Sequence, residues 1–526
     1  MKNILLLGVL MLVTFTQAQI SILSQKKIGA GGDDMMSVFP AKDNSGYYVI
    51  GSSNSLAFND KTSPNIGGYD LWIVKTDLNY NILWDKTIGG SGDEYLSGCI
   101  VSDTAIYCLI STSSSNSYDV FETNYGLTDM WMIKLDLNGN ILKQKLYGGS
   151  NNDYPASLIE WNNHFLITSN STSPISGNKN QSQIGGYDFW FIEIDKNDFS
   201  ILSEKVIGSS TDDMCTHIIK TSTNELYLLS KSQYGVSNDK TDIGFGGYDA
   251  WLLKLDSSLG VVNNKCFGGL GQEDFSGSIF AENDSVLYLS IISNSTNDGN
   301  KSTVSYGDYD SWLVKIDSSF NIIWDKSFGG SSVDAGISFF KYNDNLLLTG
   351  MSYSMENTGN KTAINYGQSD SWLIVLDTAG NDLFQYSFGG SSNDNGGIAF
   401  AKNDTLFFVG TTTSPVSGNQ TTGCYGTARD AWLLNFKLSG LGLEKESEQS
   451  NNIDVYPNPF SKQVTFSLKS AKYETSKIEL FSADGRKIDE IEINQATNQA
   501  VWNPKCENGI YYYSCGNING KIMYVK

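Results

Sequence analysis

The sequence predicts an all-β protein built from one repeated unit, and three observations carry this prediction. The triplet Asp-x-Trp recurs seven times at steps of 59 to 61 residues, which indicates an array of one supersecondary unit. Each repeat except the last contains four short apolar stretches separated by turn residues, and no long stretch with a helical period interrupts them. A further strand-like segment precedes the first repeat. The triplets are Asp70 and Trp72, Asp129 and Trp131, Asp188 and Trp190, Asp249 and Trp251, Asp310 and Trp312, Asp370 and Trp372, and Asp430 and Trp432.

The repeat that follows Gly89 shows the predicted elements in order. A small-residue strand is expected near 97–101, a second strand at 106–112, a third at 131–135 and a fourth at 141–147. The sequence Asp-Leu-Asn-Gly-Asn between the third and fourth strands is typical of a hairpin turn, because Asn and Gly accept positive φ. The third strand is apolar on both faces, which predicts that it lies between neighbouring sheets.

The arrangement of the repeats follows from burial. A four-stranded sheet of about sixty residues cannot bury two apolar faces alone, whereas a ring of about four to eight such sheets buries both. The last repeat lacks a fourth strand after Lys437, and residues 22–29 align with the fourth strand at 82–89. We therefore predict a seven-bladed β-propeller of four-stranded blades over residues 20–437, closed by the N-terminal strand pairing into the last blade.

The motifs of the repeat resemble those of a known family. The repeats combine Gly-Gly-Ser-x-x-Asp, a small-residue strand, an apolar strand ending in Gly-x-x-x-Ser (410–414), and Gly-Gly-Tyr-Asp-x-Trp (67–72). This combination resembles the bacterial seven-bladed β-propeller repeat family, with SBBP-type repeats, over about residues 20–437. The period excludes WD40 repeats of about 40–45 residues and kelch repeats of about 50. The resemblance implies a secreted or surface protein but no particular chemistry.

Residues 1–18 are predicted to be a secretory signal peptide. Lys2 precedes an apolar run at 4–13, and the small residues Thr16 and Ala18 stand at the positions that favour cleavage between Ala18 and Gln19. The run is too short to span a bilayer. Since the sequence contains no other apolar stretch of sufficient length, we expect no transmembrane segment in the mature chain.

The C-terminal region is predicted to be a separate β unit. Residues 438–451 are expected to be a linker, and residues 452–526 show alternating strands with Gly turns that suggest a small Ig-like β-sandwich. Val-Tyr-Pro-Asn-Pro-Phe (455–460), Asn-Gly-Ile-Tyr-Tyr (508–512) and the final strand resemble the type A C-terminal sorting domain of the type IX secretion system. That resemblance implies the secretion machinery as partner, and a secreted or outer-surface location reached through the periplasm. The alternative is an ordinary Ig-like binding module.

The charge of the chain limits its partners. The net charge is −21; residues 451–526 carry a net +1 and the remainder a net −22. An acidic repeat region argues against nucleic acid or an anionic membrane surface as the main partner, because both require clustered Lys and Arg.

Seven cysteines are too few for a disulfide framework. Cys99 and Cys108 are placed symmetrically about a predicted turn, and Cys506 and Cys515 flank another. Disulfides at these two places and free, buried thiols are both open alternatives.

One repeated set of carboxylates is a candidate ligand site. Each Gly-Gly turn carries an acid at a fixed offset, so a closed ring would present a circle of carboxylates suited to a cation, a cationic peptide or a hydroxyl-rich glycan. In the alternative, each acid caps its own turn by accepting nearby backbone N–H groups. The triplet tryptophans are expected to pack between blades rather than to stack on sugars. The carboxylates are Asp34, Glu94, Asp153, Asp213, Glu273, Asp334 and Asp394.

The sequence contains no recognisable catalytic motif. Its only two histidines, His164 and His217, lie in different repeats and in no zinc-binding pattern. We therefore expect that the protein binds no cofactor and no metal and that it is not an enzyme. The function predicted is an exported binding or adhesion module for an unknown extracellular glycan or protein. The alternatives are a secreted carbohydrate-active or other hydrolytic enzyme, and a structural surface component.

Overall fold

The described part of the chain is all-β, as predicted. It contains strands and no helix, and therefore no helix long and apolar enough to cross a membrane. The predicted signal peptide, residues 1–18, lies outside the described residues, as do residues 440–451 of the predicted linker. The first two residues of that predicted linker, Leu438 and Ser439, instead belong to the last strand of the larger unit, where they pair with the N-terminal strand. The larger compact unit is Ala18–Ser439, and the smaller includes Gly440–Lys526. The computed structural model describes residues 19–283, 285–397, 399–402, 404–439, 453–468, 477–482, 486–494, 496–515 and 518–525.

Six four-stranded antiparallel sheets follow one another along the larger unit, and each pairs its strands in chain order. The first contains β2 to β5, at Asp34–Pro40, Tyr47–Ser53, Asp70–Thr76 and Ile82–Ile88. The second contains β6 to β9, at Glu94–Val101, Ile106–Thr112, Asp129–Leu135 and Ile141–Tyr147. The third contains β10 to β13, at Asp153–Trp161, His164–Ser171, Asp188–Ile194 and Ile201–Ile207.

The next three sheets repeat this order. The fourth contains β14 to β17, at Asp213–Lys220, Leu226–Gln233, Tyr248–Leu255 and Val261–Phe267. The fifth contains β18 to β21, at Glu273–Asn283, Val286–Ser293, Asp310–Asp317 and Ile322–Phe328. The sixth contains β22 to β25, at Asp334–Tyr342, Asn345–Ser352, Asp370–Leu376 and Asp382–Phe388.

The seventh sheet combines the two ends of the larger unit. The strand β1 pairs antiparallel with β29, and Ile28 lies opposite Ala431. The first-strand position is divided between β26 and β27, which both pair with β28. The strands β1 and β26 to β29 span Gln19–Ile28, Asp394–Asn395, Ala399–Lys402, Thr405–Thr412 and Asp430–Ser439.

The core lies between sheets rather than within them. All seven residues of β4 are buried, because this strand has apolar side chains on both faces. Five core clusters each combine residues from two consecutive sheets, such as Ile73 of the first and Ile133 of the second. A sixth cluster combines Val74 of the first sheet with Leu433 of the seventh. Each sheet therefore depends on its neighbours for the burial of its apolar faces.

The smaller unit contains two antiparallel sheets, in the orders β30-β31-β34 and β33-β32-β35-β36. Phe466 of the first sheet and Tyr513 of the second meet with ring centroids 5.0 Å apart, in a core that also contains Trp502. The strands β30 to β36 span Ile453–Tyr456, Val464–Leu468, Lys477–Phe481, Lys487–Glu492, Gln499–Trp502, Gly509–Cys515 and Ile518–Tyr524.

Candidate functional site

The carboxylates predicted to face a ligand are instead shielded from solvent. All seven have a relative exposure of 0%. At Asp153, the backbone N–H of Gly149 and the hydroxyl of Ser173 donate to the same carboxylate oxygen, at 2.7 and 2.8 Å. These contacts are those of the alternative interpretation, in which each acid caps its turn. Because the seven side chains are buried, they offer no exposed oxygen to a ligand in this structure. The seven are Asp34, Glu94, Asp153, Asp213, Glu273, Asp334 and Asp394.

The aspartate of each Asp-x-Trp triplet lies buried beside one of these turn caps. A Cβ added at Gly268 would lie 2.2 Å from both Asp249 Oδ1 and Glu273 Oε2, so the two carboxyl groups flank this glycine. The backbone N–H of Phe245 donates to the other oxygen of Asp249 at 2.7 Å. The electrostatic pairing recurs in all seven repeats, so a buried carboxyl group at the start of each third strand lies near the one that begins the first strand of a neighbouring sheet.

Burial of these groups favours the neutral form of the triplet aspartate. Burial raises the pKa of Asp249 to about 7, and the negative charge of Glu273 adds to this rise. The pKa of the other triplet aspartates is raised, chiefly by burial, to about 6 for Asp70, Asp188 and Asp310, and to about 7 for Asp129, Asp370 and Asp430.

A buried lysine accompanies the two carboxyl groups in five of the seven repeats. Lys61 is 1% exposed, and its Nζ donates to Ser53 Oγ at 3.0 Å and Asn65 Oδ1 at 3.2 Å. Burial lowers the pKa of Lys61, whereas the nearby charges of Asp34 and Asp70 raise it. The five lysines are Lys61, Lys179, Lys240, Lys301 and Lys361, and Val120 and Gln420 occupy the same position in the other two repeats.

Replacing Lys61 by methionine is expected to destabilise the larger unit by about 2 kcal/mol, because buried carboxyl groups lose a compensating charge. Thermal unfolding at pH 7 measures this effect. Lys42→Met is the matched control, since Lys42 is exposed and its replacement should change the melting temperature little. Equal melting temperatures for Lys61→Met and the unmodified chain would contradict this role.

The triplet tryptophans pack in the core, in agreement with the packing interpretation. Their relative exposures are 0 to 2%. Most of their indole N–H groups bond a fourth-strand side chain, as Trp190 does with Glu204 at 2.9 Å. A sugar in solvent could not stack on these rings. The tryptophans are Trp72, Trp131, Trp190, Trp251, Trp312, Trp372 and Trp432.

Six tyrosines lie at the start of a first or a third strand of a sheet, next to the buried carboxyl groups. We call them the tyrosine arc. Four immediately precede a triplet aspartate, and Tyr95 and Tyr154 immediately follow a turn cap. Tyr95 and Tyr154 are exposed by 37% and 39%, and the other four are half-buried. The arc spans the first five sheets and consists of Tyr69, Tyr95, Tyr154, Tyr187, Tyr248 and Tyr309.

Hydrogen bonds between consecutive sheets hold the arc in place. The N–H of Glu94 in the second sheet donates to the carbonyl of Tyr69 in the first at 2.6 Å, and Tyr69 N–H donates to Asp93 Oδ1 at 2.9 Å. The rings of Tyr69 and Tyr95 consequently meet with centroids 4.9 Å apart. Tyr187 repeats the pattern, since the N–H of the fourth-sheet turn cap donates to its carbonyl. The backbone beside these tyrosines is therefore held by hydrogen bonds between consecutive sheets.

Arg429 occupies the corresponding position in the seventh sheet. Its guanidinium donates two hydrogen bonds to Asp33, each at 3.1 Å, and the hydroxyl of Tyr69 donates to the same carboxylate at 3.0 Å. These contacts hold the pKa of Asp33 down to about 2. The carboxylate is thus charged at every physiological pH, and it connects the seventh sheet to the first tyrosine of the arc.

A cavity of about 500 Å³ lies between the first strands of the first, second and sixth sheets and the first two strand positions of the seventh. Its walls are mainly apolar and include Met35, Val38, Leu96, Cys99 and Phe400. No group of three or more His, Cys, Asp or Glu side chains in the described residues is placed to hold a metal ion.

The smaller unit supplies the match that decides its role. Residues 454–525 match the family model of the secretion system C-terminal sorting domain. This is a type IX sorting tail. Such a tail indicates that the protein is exported and reaches the cell surface or the medium, and it implies engagement with the secretion machinery.

Solved structures with a distant likeness to this chain include three of different kinds. An apocarotenoid oxygenase variant from Synechocystis is 13% identical with a TM-score of 0.34, and the alignment covers 58% of this chain and 63% of the oxygenase. Polysaccharide lyase Uly1 is 8% identical with a TM-score of 0.44, and the alignment covers 77% of this chain and 90% of the lyase. A DUF4221 family member from Bacteroides vulgatus is 9% identical with a TM-score of 0.35, and the alignment covers 81% of this chain and 99% of that protein.

A search of curated proteins finds no match to this chain.

Two sets of residues were missed from the sequence. The buried lysines follow Asn or Asp in a repeated loop motif, such as Gly-Asn-Lys at 299–301 and 359–361, so the repeat period alone could have found them. The tyrosine arc has a weaker signal, because its members occupy two different repeat positions and are absent from the last two repeats.

Proposed function

We propose that the larger unit is a closed seven-bladed β-propeller of the SBBP-repeat type, and that it binds an extracellular ligand at the tyrosine arc after export. The observation that carries the binding proposal is the arc itself. Six tyrosines from five consecutive sheets lie at one end of the inner and third strands and keep part of their ring surface in solvent.

Contacts between the seventh and first sheets support the ring. The N–H of Asp34 donates to the carbonyl of Arg429 at 2.7 Å, which repeats the bond between consecutive sheets elsewhere. The pairing of β1 with β29 and the core cluster shared by the first and seventh sheets add to it. A ring with these contacts brings the ends of all inner strands around one opening.

The chemistry of the arc favours a hydroxyl-rich ligand. Tyrosine rings offer apolar faces together with a hydroxyl that donates or accepts hydrogen bonds. Asp93, which accepts the Tyr69 N–H, and Asp274, which pairs with the Lys231 that lies over the Tyr248 ring, are exposed carboxylates next to the arc. Their oxygens can also accept hydrogen bonds from sugar hydroxyls. The net charge of −22 on residues 1–450 disfavours anionic ligands. We therefore propose a neutral or cationic glycan as the first ligand class to test, with a surface protein as the alternative.

We propose binding without turnover. The exported chain, residues 19–526, is to be screened on an array of neutral, cationic and anionic glycans, and the retained glycan is to be incubated with the protein and analysed for products. Retention of neutral or cationic glycans without cleavage is the expected result. Cleavage would support a carbohydrate-active enzyme instead, and the absence of any retained glycan would overturn the glycan assignment.

The double replacement of Tyr95 and Tyr154 by alanine is expected to weaken binding of the retained glycan at least about tenfold, since exposed aromatic anchors often dominate binding energy. Isothermal titration calorimetry measures the affinity. Tyr512→Ala is the matched control, because Tyr512 is 46% exposed but lies in the smaller unit. An unchanged affinity in the double variant, with an unchanged melting temperature, would contradict the location of the site.

A further inference from the structure

We propose that Cys99 and Cys108 are joined by a disulfide bond in the exported protein. The two residues lie directly opposite each other on the paired strands β6 and β7. Their sulfur atoms are 4.0 Å apart, and the thiol of Cys108 donates toward the sulfur of Cys99. Both thiols are free in this structure, so the bond is a step that follows from the arrangement.

The backbone geometry already suits a disulfide. Residues directly opposite on antiparallel strands have Cα atoms about 4.5 to 5.5 Å apart, and disulfides usually join Cα atoms about 4.4 to 6.8 Å apart. An S–S bond is about 2.0 Å long, so the sulfurs must approach by about 2 Å. Rotation of the two side chains about their Cα–Cβ bonds can supply this movement without a change of strand register.

The export of the protein provides suitable conditions for this bond. The sorting tail indicates export from the cytoplasm, and disulfides form and persist in oxidising compartments. In the described residues no other pair of cysteine sulfurs is within hydrogen-bonding contact. The remaining five cysteines are Cys215, Cys266, Cys424, Cys506 and Cys515.

The reaction is a two-electron oxidation by a disulfide oxidant. One cysteine loses its proton and attacks a sulfur of the oxidant. The second cysteine then loses its proton and attacks the protein sulfur of the mixed disulfide, and the two protons end on the two sulfurs of the oxidant. The S–S bond of the oxidant breaks and two thiols of the oxidant are released, while the new Cys99–Cys108 bond forms. Burial raises the pKa of Cys99, which makes its thiolate scarce in the folded sheet. The bond is therefore expected to form during folding rather than after it.

The bond would fix the wall of the cavity beside the tyrosine arc. Cys99 lines the cavity of about 500 Å³, and Tyr95 of the arc is the second residue of the same strand, β6. A covalent link to β7 would hold the inner strand in register against its neighbour. This consequence is separate from ligand binding, so the disulfide and the proposed binding function can fail independently.

Peptide mass analysis of the exported protein tests the proposal. The protein is collected from the medium or cell surface, denatured without reductant, alkylated, and cleaved with chymotrypsin, which cuts after Tyr107 and separates the two cysteines. The expected result is a cross-linked peptide pair that separates on reduction, with the other cysteines retained in the exported chain alkylated. Alkylation of both Cys99 and Cys108, or linkage of either to another cysteine, would overturn the proposal.

A stability measurement provides a second readout. Reductant is expected to lower the melting temperature of the oxidised, unmodified chain by a few degrees and to have no such effect on Cys99→Ala. Cys424→Ala is the control and should respond to reductant like the unmodified chain. A reductant effect of equal size in Cys99→Ala would overturn the assignment of this bond.

Discussion

Replacement of Gly29 by alanine is expected to destabilise the larger unit by about 4 kcal/mol or more, the size typical of severe steric conflict in a core. Gly29 directly follows β1, and a Cβ at this position would lie 2.1 Å from Oδ1 of Asp430. Asp430 is buried in the third strand of the same sheet and cannot move into solvent without losing its bond to the N–H of Tyr425 at 2.6 Å. Thermal or urea unfolding followed by circular dichroism measures the loss.

The same turn contains the control for this prediction. A Cβ at Gly31 would meet only the ring of Phe58, at 3.9 Å, which is an ordinary contact distance. Gly31→Ala is therefore expected to change the free energy of unfolding by less than about 0.5 kcal/mol. If the two variants unfold alike, the close approach of Gly29 to the Asp430 carboxylate is not a determinant of stability.

Raising the pH from 5 to 8 is expected to lower the melting temperature substantially. The seven triplet aspartates have pKa values raised to about 6 or 7, chiefly by burial. Between the ordinary value of 3.8 and these values, the native state holds protons that the unfolded chain releases. Stability is therefore greatest below pH 3.8 for these groups and is lost as the pH rises through about 7.

The size of the pH effect follows from the number of groups. Each aspartate contributes up to about 1.4 kcal/mol per pH unit while it is protonated only in the native state, so seven such groups together have a large effect on stability. His217 has the opposite effect on stability. Burial lowers its pKa, so the unfolded chain binds the extra proton and stability rises with pH, but only one such group is involved. The pKa of Asp33 is lowered to about 2, so this carboxyl group changes stability only below pH 3.8 and not between pH 5 and 8.

Asp129→Asn provides the specific test of this pH dependence. The amide keeps the shape of the neutral carboxyl, so the native state should bind about one proton fewer between pH 5 and 7 than the unmodified chain does. Potentiometric titration of native against urea-unfolded protein measures this difference. A melting temperature that stays constant or rises from pH 5 to 8 would show that these carboxyl groups are ionised in the folded protein.

Bulky residues in left-handed turns show where local sequence preferences failed. The turn before the fourth strand takes positive φ at Gly139 and Gly380, as its composition predicts, but also at Tyr80 and Phe320. Tyr80 is 3% exposed, and its hydroxyl donates to Asn435 of the seventh sheet at 2.9 Å. Packing against the neighbouring sheet therefore overrides the preference for glycine or asparagine.

The glycine at this turn follows from a neighbour that local sequence does not reveal. A Cβ at Gly139 would lie 3.2 Å from the ring of Trp84, which belongs to the preceding sheet. The same contact recurs between Gly380 and Trp324, at 3.0 Å. Where the preceding fourth strand carries a tryptophan, its ring occupies the space that a turn side chain takes elsewhere.

The sequence by itself determined the positions of the strands and the faces that are buried. The second and fourth strands of the second sheet, Ile106–Thr112 and Ile141–Tyr147, lie where the apolar pattern predicts them, because alternation and turn residues are local signals. The burial of the triplet tryptophans is a property of the same kind. The export signal in the tail is also contained in its own residues.

Only the tertiary structure decided which side chains are available for function. One oxygen of the Asp153 carboxylate accepts hydrogen bonds from a turn amide and from a loop hydroxyl twenty residues away, and the side chain is buried beneath these segments. Tyr69 and Tyr95 meet because consecutive sheets exchange hydrogen bonds at their ends. The physical reason is that a repeat pattern specifies which face of a strand is apolar, whereas exposure of a polar side chain depends on segments that packing brings beside it.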